Sequence, residues 1–140
     1  MEPFIALAAT HPLVALHLAA ALLALVAGAL VMARRKGTPL HRVLGWSFVA
    51  AMALTALSSA FMRDSHLPSI AGFTPIHIFT VLTLVGLPRA IWQIRRGDVT
   101  GHRRTMQGLF IGGCVVAGAF TLLPGRFLGD LLWHRALGLV

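Results

Sequence analysis

"PLVALHLAAALLALVAGALVMA", Pro12 to Ala33, has no charged residue and one polar side chain able to titrate, His17. At 1.5 Å per residue it is long enough to cross the ~30 Å hydrocarbon core of a bilayer. Three further apolar segments follow at roughly 42–62, 75–94 and 104–123. The whole chain agrees with that reading. Of its 140 residues, 57% are apolar and 11% are charged, whereas a soluble domain carries about 25% charged residues. The expected fold class is therefore all-α: an integral membrane four-helix bundle forming a single domain. The start, "MEPFIALAAT", has an acid where a secretory signal would be basic. With the length of the first apolar run, this argues against a cleaved leader.

The net charge of +8 is placed asymmetrically. Arg34, Arg35, Lys36, Arg42, Arg89, Arg95, Arg96, Arg103 and Arg104 flank the first and third inter-helix loops, and only Arg63, Arg126 and Arg135 lie on the other side. The positive-inside rule puts both of those loops in the cytoplasm and both termini outside. The basic charge thus sets topology and is not a footprint for nucleic acid.

Outward from the first span, the sequence repeats. His17 aligns with His77 at an offset of 60, and Arg35-Lys36-Gly37 aligns with Arg95-Arg96-Gly97 at the same offset. His41-Arg42 then falls on His102-Arg103 at an offset of 61. The units cover about 11–62 and 72–123, followed by a tail, 124–140. Each holds two helices, so both units enter the membrane with the same orientation, related by an axis along its normal. Under that pseudo-twofold His17 pairs with His77 near the outer face, and His41 with His102 near the inner face.

Local signals fit the placement. Thr38-Pro39 reads as an N-cap with proline at the first helical position, and Asp98 or Thr100 can cap the fourth helix. Pro88 should kink the third helix or loosen its last turns. Trp46 and Trp92 mark the inner interface and Trp133 the outer one. Gly108 and Gly112 form a GxxxG pair in a helix rich in small residues, which allows close helix approach and would also clear room for a flat cofactor. Cys114, the single cysteine, sits mid-segment as a small packing residue. The tail, with Phe127, Leu128, Leu131 and Leu132 at helical spacing, reads as an interfacial helix on the outer surface.

Seven histidines are many for this length, and ionisable groups in membrane helices tend to face the interior and mark sites. Facing imidazoles in a four-helix core suit bis-His ligation of haem b. His17, His77, His41 and His102 are the candidate ligands, for one haem or two. Arg42, Arg103 and Arg89 are candidates to pair haem propionates. Competing roles are lipid-phosphate contacts for the inner pair and plain interhelical hydrogen bonds for the outer pair. His11, His66 and His134 share the outer side, where a Zn or Cu site is conceivable without any H-x-x-x-H spacing. The four acids, Glu2, Asp64, Asp98 and Asp130, all lie away from the midplane, which disfavours proton-coupled transport.

Taken together, His17, "KGTPLHRVLGW" (36–46), "SSAF" (58–61), "TPIH" (74–77), "HRRTMQGLFIGG" (102–113) and "AGAFTLLPGR" (117–126) resemble a bacterial family of predicted inner-membrane proteins of unknown function. The resemblance implies a multi-pass protein of the bacterial plasma membrane and supplies no activity. A looser similarity links the chain to haem-b membrane cytochromes, although those often carry two ligands on one helix, a spacing absent here. The expected function is haem-b electron transfer, with quinone as a redox partner, as a component of an oxidoreductase. Alternatives are a haem-free accessory or assembly subunit of a larger membrane complex, and metal handling at the outer histidines. Expected partners are the bilayer and either a respiratory membrane protein or further copies of the chain.

Overall fold

A computed structural model describes residues 2–62, 76–123 and 129. Its described residues are helical and contain no strand. A short helix α1 (Glu2–Thr10) leads through His11 into α2 (Pro12–Ala33), followed by α3 (Pro39–Phe61) and α4 (Ile76–Arg95). The last run begins as α5 (Val99–Leu109), widens into a π-helical segment (Phe110–Val116) and closes as α6 (Ala117–Thr121). Pro12–Ala33, Pro39–Phe61 and His77–Arg95 are each long and apolar enough to cross a membrane. From Val99 to Thr121 the chain is also helical without a break, long enough at ~1.5 Å per residue for a fourth crossing.

Helix ends follow their cap chemistry. The Thr38 hydroxyl accepts from the backbone N–H of His41 at 3.1 Å. With Pro39 at the first position, α3 starts where the Thr38-Pro39 signal places it, a few residues before the apolar run that begins near 42. The Asp98 carboxylate accepts from the Gly101 N–H at 2.8 Å, so Asp98, not Thr100, caps α5 and starts it at Val99. Gly37 and Gly97 take left-handed φ values of 81° and 80°, a backbone state that glycine adopts at little cost. The two arginine-rich loops thus turn in the same way, 60 residues apart. Lys36 donates to the last carbonyls of α2, Val31 and Met32 among them, where a cation suits the helix end. Helix α4 runs on through Pro88 to Arg95. α1 was not anticipated from the sequence. Pro75, Trp133 and the tail helix, apart from Gly129, lie outside the described residues.

Packing follows chain order. α2 packs along α3, α3 along α4 and α4 along α5, and the π segment touches both α4 and α2. The centre is filled by side chains. Ala24, Phe48 and Ala90 are fully buried, with Ala27, Ala51, Met52, Leu87, Met106 and Leu109 around them. The rings of Phe48 and Phe110 meet at 6.3 Å in a tilted pair, the offset geometry that aromatic quadrupoles favour. Both rings press on Gly28, where a Cβ would sit 2.9 Å from Phe48 Cε2. Leu109 fills the space beside Gly86, and Met52 that beside Gly113. Gly28, Gly86 and Gly113 thus admit neighbouring side chains, while Gly108, of the GxxxG pair, has nothing within 4 Å of its would-be Cβ. Large apolar residues such as Leu23, Val26, Val81 and Val85 stay exposed on the outside, as they would against acyl chains.

Candidate functional site

The polar chemistry divides between the two ends of the helices. At the end where α2 begins and α3 finishes, His17 Nδ1 lies 3.0 Å from the Thr55 carbonyl oxygen and 3.0 Å from Ser58 Oγ. A carbonyl only accepts, so Nδ1 carries the proton. The Ser58 hydroxyl donates to the Leu54 carbonyl at 2.8 Å, which leaves its oxygen free to accept from the imidazole. The tautomer is thereby set, and Nε2 keeps its lone pair. One turn along the same face of α3, Ser59 Oγ and Thr80 Oγ1 are 3.1 Å apart, joining α3 to α4. Ser58 and Thr80 are both buried. His77 is half-buried, one turn before Thr80 on α4.

The opposite end, where α5 begins, has the same logic with different residues. His102, in the first turns of α5, donates Nδ1–H to the Ala90 carbonyl of α4 at 2.8 Å. Its Nε2 is again the unprotonated nitrogen. Thr105 Oγ1 donates to Gln93 Oε1 at 2.9 Å, a second tie between α5 and α4. His41 lies within electrostatic range of His102 and Lys36. Its Nδ1 is buried with no hydrogen-bond partner among the described residues, an arrangement that is costly in an apolar setting. Arg42, Arg89 and Arg103 are exposed at this end. Arg103 lines a groove on the outside of α5 together with Val99, Thr100, Arg104 and Gln107.

The remaining sequence candidates fall as follows. His11 lines a shallow depression where α1 meets α2 beside Phe61 and Met62. His66 and His134, the other members of the expected outer cluster, lie outside the described residues. Among the described residues, no three His, Cys, Asp or Glu side chains come close enough to share a metal ion. Cys114 packs its sulfur 3.6 Å from Met52 Sδ in the filled centre. Thr55, Ser58, Thr80, Gln93 and Thr105 were not singled out in the sequence. The clue was there in part: Thr55, Ser58 and Ser59 share a face of α3, and Thr80 stands one turn from His77.

The chain matches the model of a family described as a predicted membrane protein (DUF2306) over residues 14–115. No curated protein and no solved structure matches it.

Proposed function

We propose that this chain, which belongs to the DUF2306 family of predicted membrane proteins, binds haem b between its helices and passes electrons in the membrane. In this reading the two tandem hairpins form a bundle. His17 and His77 would hold a haem toward the outer face, and His41 and His102 one toward the inner face. Both termini face outward from a bacterial plasma membrane.

One observation carries the proposal. In each pair, one histidine spends Nδ1–H on a backbone carbonyl of a neighbouring helix, His17 on Thr55 and His102 on Ala90. Metal-binding histidines are oriented in this way, with the second nitrogen presented as a lone-pair donor. The chemistry of the donor set fits: neutral imidazoles suit haem iron. At the inner end the orphaned Nδ1 of His41 adds a polar atom whose burial asks for a partner. The packing order, with α2 and α4 as non-neighbours flanking α3, is compatible with ligands facing across a bundle. The matching left-handed turns at Gly37 and Gly97 support the repeat on which the pairing rests.

Bound haem supplies a one-electron ferric–ferrous couple. The protein's own part is to fix the imidazoles by the carbonyl bonds, to exclude water through the packed Phe48–Phe110 layer, and to set charge at the inner surface. Arg42, Arg103 and Arg89 are the cations available there for propionates. Quinone, dissolved in the same bilayer, is the proposed redox partner.

The test is the absorption spectrum of detergent-purified protein from haem-replete cells, oxidised and then dithionite-reduced. A Soret band with sharpened visible bands on reduction is expected, weakened in His17→Ala and in His102→Ala and lost when both are replaced. A colourless protein under every haem supply sinks the proposal. The filled centre favours a second reading, a haem-free accessory subunit. A colourless chain that co-purifies stoichiometrically with a larger membrane complex would support it.

A further inference from the structure

The groove on α5 lies apart from the histidines, and of its lining only Arg103 is also a propionate candidate. Val99, Thr100, Arg103, Arg104 and Gln107 lie at i, i+1, i+4, i+5 and i+8, one continuous helical face. The space between these side chains is open to the surface and measures about 380 Å³, room for a phosphodiester headgroup. Arg103 and Arg104 supply two guanidiniums, the side chains best shaped for phosphate oxygens, and Gln107 and Thr100 add neutral donors. Among the described residues no carboxylate pairs with either arginine. Asp98, the nearest acid in sequence, is engaged with the Gly101 N–H.

The same face continues toward the bilayer centre and turns apolar. Gly108 is exposed, and nothing lies within 4 Å of the point where its Cβ would be. One turn further on, Ile111 is 55% exposed and Val115 48% exposed. Cation, open notch and apolar strip thus follow one another from interface to core. We infer that this face of α5 is a binding site for an anionic phospholipid, its phosphate on Arg103 and Arg104, its glycerol region over Gly108 and an acyl chain along Ile111 and Val115. A free phosphate would satisfy the arginines but has no use for the notch and strip below them. Basic sites at the cytoplasmic interface recruit anionic lipids in this way. The inference stands independently of haem.

The experiment is native mass spectrometry of the full chain in mild detergent, delipidated and then titrated with phosphatidylglycerol, phosphatidylcholine or inorganic phosphate. Phosphatidylglycerol is expected to be retained in preference to phosphatidylcholine. Each arginine removed should weaken that preference about fivefold, so Arg103→Gln with Arg104→Gln should all but abolish it. Arg34→Gln with Arg35→Gln removes the same charge from the other inner loop and should leave the preference in place. Gly108→Leu fills the notch without touching charge and should lower retention too. Equal retention of the two lipids overturns the inference, as does an equal loss in the Arg34/Arg35 variant. Displacement of the lipid by millimolar inorganic phosphate would assign the site to free phosphate and overturn the lipid source.

Discussion

Replacing Gly28 by alanine adds one methyl group where α2, α3 and the π segment meet. The new Cβ would lie 2.9 Å from Phe48 Cε2 and closer still to the ring of Phe110. Phe48 is fully buried among Ala24, Ala27 and Ala51, so its ring cannot swing away without moving a helix. Overpacking of this kind costs about 1–3 kcal/mol. The added methyl recovers little, because lipid is as apolar as the interior it would enter. Three other glycines calibrate the effect. At Gly86 the obstacle is Leu109 Cδ2 at 2.8 Å, and at Gly113 it is Met52 Cε at 2.6 Å. Both are the ends of flexible side chains, so Gly86→Ala and Gly113→Ala should each cost under ~1 kcal/mol. Gly45 has nothing within 4 Å of its would-be Cβ. Alanine there should gain up to ~1 kcal/mol from the helical backbone. Denaturation of detergent-solubilised protein by rising SDS, followed by far-ultraviolet circular dichroism, gives the order. The Gly28 variant should unfold first, the Gly86 and Gly113 variants near the parent, and the Gly45 variant last. Equal midpoints for Gly28→Ala and Gly45→Ala would refute the convergence of those three helices on Gly28.

Four other outcomes follow from the same contacts. Thr38→Ala and Asp98→Ala each remove an N-cap and should lower stability by about 1 kcal/mol in the same titration, while Asp98→Asn keeps most of it. His17→Ala breaks the tie to Thr55 and Ser58, and the apoprotein should lose about 0.6 kcal/mol, the usual worth of such a bond within a membrane; no change would place the imidazole elsewhere. Thr80→Val should cost a similar amount by removing the Ser59 contact, read by the same midpoint. For topology, Arg35→Cys in a Cys114→Ala background should react with an impermeant maleimide only from the cytoplasmic side, and labelling of intact cells from outside would reverse the assigned orientation.

Much of the fold was legible because a bilayer imposes a length and a composition. An uncharged run such as Pro12–Ala33 has few alternatives to a spanning helix, and Thr38-Pro39 announces its successor. Three features were not legible. The fourth helix starts at Val99 because the Asp98 carboxylate reaches the Gly101 N–H, a choice between two cap candidates, Asp98 and Thr100, that only geometry settles. The π segment at Phe110–Val116 has no pattern of its own in the sequence; it contains the Gly112-Gly113 pair, which offers little resistance to altered backbone angles. What stands beside a glycine was not legible either, since a missing Cβ does not say what fills its place: Phe110, Leu109 and Met52 occupy the space at Gly28, Gly86 and Gly113, whereas Gly108, of the GxxxG pair, faces open space. Of the candidate site, the histidines themselves stood out by scarcity and spacing. Their partners did not: the Thr55 and Ala90 carbonyls belong to the backbone and leave no trace in residue type.

The haem-to-protein ratio of the purified chain, expressed with ample haem, tests the central claim most directly. The account predicts a ratio of at least one, reduced in both His17→Ala and His102→Ala, in helical and soluble protein. A ratio of zero in the parent chain, or an undiminished ratio in both variants, would contradict it.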